Sequence, residues 1–152
     1  MNRETLSRDP YILLVEDNPV DVLVTRKALE EGGFRFRLHV IEDGQQALDF
    51  LHEHCNSTDV NSFCPDIILL DLNLRGISGK EVLADIREHQ STSLIPVIVL
   101  TTSNAEQDII ESYARHANCY ITKPVDVDNF KKAIQSMGIF WTEVAQLPKS
   151  PN

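Results

Sequence analysis

Apolar positions fall along the chain in two rhythms. Tyr11–Val15, Ile67–Leu70, Val97–Leu100 and Cys119–Thr122 are short runs with few or no polar breaks, and Phe36 to Ile41 alternates. A strand covered by helices on both faces reads as such a run, and an alternating stretch reads as a half-covered one. Between them the apolar residues recur at helical spacing: Val20, Leu23, Val24 and Ala28; Ala47, Leu48 and Leu51; Val82, Leu83 and Ile86; Ile109, Ile110, Tyr113 and Ala114; Phe130, Ala133, Ile134 and Met137. Start signals precede these stretches. Asn18 stands before Pro19, Asp43 before Gly44, and Ser78, Asn104 and Asp126 are the remaining caps, while Gly32-Gly33 stops the first helix. Residues 54–64 read as a polar loop, long for a compact domain.

Five strands alternating with five helices predict an α/β fold, a doubly wound parallel sheet with right-handed crossovers. Strand order is not written in the sequence. The flavodoxin-like order 2-1-3-4-5 is the common small solution, and its switch point lies between strands one and three. Ligands of such sheets bind beyond the carboxyl ends of the strands. The residues predicted there are Glu16 and Asp17 after strand one, Asp71 after strand three, Thr101 after strand four and Lys123 after strand five.

Asp71 ends the stretch Pro65-Asp66-Ile67-Ile68-Leu69-Leu70-Asp71. A bare carboxylate at a strand end is a metal ligand, a nucleophile or a cap. Glu16, Asp17 and Asp71 in one crevice repel one another, and burial sharpens the repulsion. A hard divalent cation offsets it, and Mg²⁺ held by one or two carboxylates leaves room for phosphate oxygens. Asp17 and Asp71 are the expected direct ligands, with the backbone carbonyl of Asn73 a third and Glu16 acting directly or through water. A carboxylate also forms an acyl phosphate. Such a transfer asks for alignment and charge neutralisation, to which Lys123 brings an ammonium and Thr101 a hydroxyl. Taken singly, each residue has an ordinary reading as a cap, a strand end or a solvated lysine. What singles them out is that each stands at the end of a strand, on one predicted edge.

Composition narrows the class. The chain has 152 residues, 42% apolar and 24% charged, which fits one globular domain. Its net charge of −9, without a basic cluster, argues against a nucleic-acid surface. No apolar run approaches the ~20 residues of a membrane span, and residues 1–10 lack a signal-peptide core. A cytoplasmic location is therefore expected. Cys55, Cys64 and Cys119, an odd number without a Cys-x-x-Cys pair, read as free thiols in a reducing compartment. In His52-Glu53-His54-Cys55, the two histidines point about 200° apart on a helix. They read as a solvated helix end rather than a metal site.

Leu14-Val15-Glu16-Asp17, Leu69-Leu70-Asp71, Leu100-Thr101 and Thr122-Lys123-Pro124 together resemble the receiver domains of response regulators in two-component signalling. The resemblance covers about residues 10 to 137, within a division into an N-terminal tail (1–9), a receiver domain (10–138) and a C-terminal extension (139–152). It implies that Asp71 accepts a phosphoryl group from a histidine kinase and that Glu16 and Asp17 hold Mg²⁺. It implies that Thr101 and Lys123 contact the phosphate and that Tyr120 moves inward as a switch. The chain is then no enzyme beyond its own phosphorylation and dephosphorylation. Receivers also tend to have a cis bond at the position of Lys123-Pro124. One departure is Arg75, where many receivers have proline. That leaves the loop less rigid or turns Arg75 toward a partner. Asn73 and Ser103 occupy the positions that tune hydrolysis.

Asp71-Leu72-Asn73-Leu74, Val99-Leu100-Thr101-Thr102-Ser103, Asn118-Cys119-Tyr120-Ile121-Thr122-Lys123 and Phe140-Trp141 are similar to the single-domain regulators paired with cyanobacterial phytochromes. That likeness implies a phytochrome-type kinase as partner and a homodimer through the fourth helix, fifth strand and fifth helix. Tyr113, Tyr120, Phe130, Phe140 and Trp141 are the expected residues of that face. Met137, Phe140, Trp141, Val144 and Leu147 continue the apolar period until Pro148, so the tail either folds back on its own domain or enters the dimer. Three rivals remain. A flavin carrier needs a phosphate cradle where Glu16-Asp17 stand, an aspartyl phosphatase needs Asp-x-Asp after its first strand, and an inert binding module leaves the acid, Thr and Lys set unexplained.

Overall fold

A computed structural model describes residues 9–33, 35–56, 63–101 and 119–136, without the side chains of Thr101, Cys119, Tyr120 and 133–136. The strands are β1 (Tyr11–Val15), β2 (Arg37–Ile41), β3 (Ile67–Asp71), β4 (Val97–Thr101) and β5 (Cys119–Thr122). The described helices are α1 (Pro19–Glu31), α2 (Gly44–Cys55), α3 (Gly79–Glu88) and α4 (Val127–Ser136). α4 is the last of the five expected from the sequence. The helix expected over Ile109 to Ala114, with its cap Asn104, and the tail from Met137 onward lie outside the described residues.

The sheet runs β2-β1-β3-β4-β5, every neighbouring pair parallel, as the alternation of elements predicted. Its side chains divide by parity. Leu13, Val15, Ile68, Leu70, Val97 and Val99 join Ala47, Leu48, Leu51, Val82, Leu83 and Ile86 of α2 and α3. Ile12, Leu14, Ile67, Leu69, Ile98 and Leu100 join Ala28, Leu29 and Phe130 of α1 and α4. Both faces of β1, β3 and β4 are therefore dry, which is why these strands are unbroken apolar runs.

Helix starts follow the caps. Asn18 Oδ1 accepts from Val20 N at 2.9 Å, Asp43 from Gln46 N at 2.9 Å, Ser78 Oγ from Glu81 N at 3.2 Å and Asp126 from Asn129 N at 2.7 Å. α1 ends at Gly32, and Gly33 takes φ +77°, the left-handed region a glycine enters freely. The inward face of α1 differs from the simple apolar reading. Thr25, Ala28 and Leu29 are buried, while Val20 and Leu23 are 64% and 59% exposed.

Two expectations are corrected. Cys55 and Cys64 are not free thiols but form a disulfide, the end of α2 and the start of the segment before β3 standing 4.7 Å apart at Cα. Two cysteines without a motif spacing thus meet in space. With that, the cysteines no longer argue for a reducing compartment. Phe130, expected on a dimer face, is 1% exposed and packs with Ile121 and Val125 in the core beneath α4. Tyr113, Phe140 and Trp141 lie outside the described residues, as does the side chain of Tyr120. Among the described residues no helix is long and apolar enough to cross a membrane.

Candidate functional site

β1 and β3 are neighbours, so their carboxyl ends open into one crevice. Glu16 follows β1 directly and is fully buried; its backbone N–H donates to Ile41 O at 3.1 Å. Asp71 closes β3 at 2% exposure. One carboxylate oxygen each from Glu16, Asp17 and Asp71 lies within 4.8 Å of the others. Lys123, just past β5, reaches across with its Nζ 2.7 Å from Glu16 Oε1, 2.9 Å from Asp21 Oδ2 and 3.3 Å from Asp71 Oδ1. The bond Lys123-Pro124 is cis.

The loop after β3 is tied to both acids. Asn73 N donates to Asp71 Oδ1 at 3.1 Å, and Arg75 N donates to Asp17 Oδ2 at 3.0 Å. A proline at position 75 has no N–H to give. Arg75 thus does structural work through its backbone, while its guanidinium is 92% exposed with Nε 3.9 Å from Asp17. Gly76 takes φ +76° in the same loop. Behind it, a Cβ on Gly79 would collide with the Asp71 carbonyl and come within 2.6 Å of Leu72 Cα. Glycine at the head of α3 lets the helix sit directly on the Asp71 loop.

The electrostatics of the crevice follow from burial and from its charged neighbours. Burial and the neighbouring Asp71 push the Glu16 carboxyl up to about 7, against the pull of Lys123. Burial pulls the Lys123 ammonium down, but Glu16, Asp21 and Asp71 outweigh it, so its proton is held more tightly than usual. One ammonium among four carboxylates leaves excess negative charge, which this chain contains by keeping Glu16 partly protonated. An all-oxygen donor set with surplus charge suits a hard divalent ion.

The structure brings Glu16, Asp17, Asp71 and Lys123 together, and Thr101 ends β4 opposite Thr122. Asp21 was missed by the sequence reading. It sits in the first turn of α1, where an acidic residue is ordinary, and only the fold shows that it holds Lys123.

Comparison with known proteins agrees with this geometry. The family model for the response regulator receiver domain matches residues 12–135. Response regulator Rcp1 of Synechocystis sp. is 41% identical over 137 residues, covering 90% of this chain and 92% of its own length. The solved bacteriophytochrome response regulator RtBRR superposes with a TM-score of 0.80 at 38% identity, over 93% of this chain and 85% of that one. The phosphorylated cyanobacterial phytochrome response regulator RcpA gives 0.72 at 37%, over 93% and 100%. With its sheet order, its carboxylate crevice and this likeness over nearly its whole length, the chain belongs to the response regulator receiver domain family.

Proposed function

We propose that the chain is the phosphoryl acceptor of a phytochrome-type histidine kinase, and that Asp71 is the residue phosphorylated. The observation that carries this reading is the convergence of three carboxylates within 4.8 Å with the Lys123 ammonium 3.3 Å from Asp71. Asp71 Oδ1 accepts from Asn73 N–H and pairs with Lys123, and its other oxygen is the proposed attacking atom. The new Oδ–P bond forms as the P–N bond to the donor imidazole breaks, and the electron pair leaves with that nitrogen. Asp17, Asp71 and the carbonyl of Asn73 would hold Mg²⁺, with Glu16 acting directly or through water. When bound, Mg²⁺ supplies charge neutralisation for the phosphoryl oxygens. The crystal structure of Rcp1 with Mn²⁺ supports a divalent ion in such a site.

Lys123 is held by Glu16 and Asp21 in the position from which it pairs with a phosphoryl oxygen. Thr101, at the end of β4, contributes a hydroxyl to the same group, and its inward shift makes room for Tyr120, one strand over. The signal leaves by protein contact, through a homodimer face built on the segment between β4 and β5, on β5 and on α4. Tyr113, Tyr120, Phe140 and Trp141 are its proposed residues, and no nucleic acid or membrane is involved. The same reading places the protein in the cytoplasm, with its phosphoryl donor.

Intact-mass measurement after incubation with acetyl phosphate and Mg²⁺ tests the acceptor. Wild type gains one phosphoryl group; Asp71→Asn gains none. An equal gain in the variant refutes the assignment. Sedimentation of a chain lacking residues 139–152 tests the face: unchanged self-association removes the tail from it.

A further inference from the structure

We propose that His52, Asp85 and His89 form a second metal site, selective for one divalent transition ion such as Zn²⁺ and separate from the carboxylate crevice. His52 lies near the end of α2, Asp85 in α3, and His89 caps α3. Asp85 and His89 are four apart and so share one helix face. His52 Nε2 stands 2.8 Å and His89 Nδ1 3.2 Å from the same oxygen, Asp85 Oδ1. The two imidazole rings lie 4.6 Å apart between centroids, tilted by 41°. The three ligand atoms all lie within 4.8 Å of one another.

Two imidazole nitrogens and one carboxylate oxygen, with a fourth position open to water, are a zinc donor set. The crevice at Asp71 presents only oxygens and selects the opposite class of ion. As the residues stand, each imidazole nitrogen facing Asp85 Oδ1 must carry a proton to bond it. An ion entering between them takes the place of those protons, each of which moves to the other nitrogen of its ring as the tautomer changes. It also takes His89 Nδ1 from the Asp85 carbonyl, 2.8 Å away.

The frame is held independently of any ion. Thr92 Oγ1 donates to Ile86 O at 2.7 Å and Thr92 N to His89 O at 3.0 Å, while Arg87 Nη1 donates to Ser93 O and Ile95 O at 2.9 and 2.8 Å. The end of α3 is therefore fixed, and the site remains open to solvent, with His52, Asp85 and His89 side chains 35%, 27% and 44% exposed. His54 takes no part. It turns away from His52 and packs on Phe50 at 4.4 Å, as two residues that far around a helix must. The partners His52 lacks on its own helix are supplied by α3. Asp85 lies about 9 Å along α3 from Gly79, which rests on the Asp71 loop. An ion here would clamp α2 to the helix that supports the crevice.

Calorimetric titration of the full chain with Zn²⁺, in excess Mg²⁺ and in a Cys119→Ser background, tests the site. One equivalent binds, Asp17→Asn leaves that binding unchanged, and His52→Gln or His89→Gln weakens it at least tenfold. Glutamine keeps a donor for Asp85, and metal-free melting curves check that the variants fold. Zinc binding that survives both glutamine substitutions, or that excess Mg²⁺ displaces, overturns the proposal. Should a variant not fold, the Cu²⁺ spectrum of the unsubstituted histidine site decides: two coordinated imidazole nitrogens support it, and none refutes it.

Discussion

Replacing Asp71 with asparagine should stabilise the metal-free protein at about pH 8, although it removes a charge that touches a lysine. Asparagine keeps an acceptor for Asn73 N–H, so the backbone tie at 3.1 Å survives. What changes is the charge balance. With an effective dielectric of about 20, the contact to Lys123 Nζ at 3.3 Å is worth about 5 kcal/mol of attraction. Glu16 and Asp17, at no more than 4.8 Å, each repel Asp71 by at least about 3.5 kcal/mol. The repulsions win, and the net gain on substitution is about 2 kcal/mol. Urea unfolding followed by circular dichroism in EDTA measures it. Near pH 5 wild-type Glu16 is protonated and its share of the repulsion vanishes, so the same figures make the substitution destabilising by about 1.5 kcal/mol. Millimolar Mg²⁺ reverses the order, since wild type gains a ligand set that the variant lacks. An Asp71→Asn protein less stable than wild type in EDTA at about pH 8 would show that the lysine pair dominates, and the account of an overcharged crevice would fail.

Three further outcomes are expected. Glu16 is raised from 4.5 to about 7 in the folded chain, so its contribution is complete below about pH 4.5 and is lost as pH rises through about 7. Metal-free unfolding should lose on the order of 3 kcal/mol across that window, and Glu16→Gln should flatten the profile. Gly79→Ala improves helix propensity by about 1 kcal/mol yet drives a Cβ into the Asp71 carbonyl. Net destabilisation in denaturant, together with weaker Mg²⁺ binding, is the expected result; net stabilisation would mean the loop yields freely. Reduction of Cys55–Cys64, which closes a separation of 9 residues, should cost about 2–3 kcal/mol, read as a lower urea midpoint with dithiothreitol that Cys55→Ala no longer shows.

The fold was legible because its two rhythms have different physical causes. Ile67 to Leu70 is apolar without interruption because helices cover both faces, and Ala47, Leu48 and Leu51 recur because one stripe of α2 faces the sheet. Their positions at strand ends put Glu16, Asp17, Asp71 and Lys123 on one edge of a parallel sheet. α1 was less legible. Val20 and Leu23 look like core and face solvent, because the buried stripe is set by how the helix lies on the sheet, and there Thr25 fits.

Local pattern determined the elements, their caps and the chemistry carried at each strand end, since backbone propensity and the burial of one face act within a few residues. Only the tertiary structure decided which side chains meet between elements. It set Asp21 against Lys123, 102 residues apart, gave Arg75's N–H to Asp17, joined Cys55 to Cys64, put Phe130 in the core and found for His52 its partners on another helix. Such pairings depend on how packed elements are oriented, and no period in the chain records that.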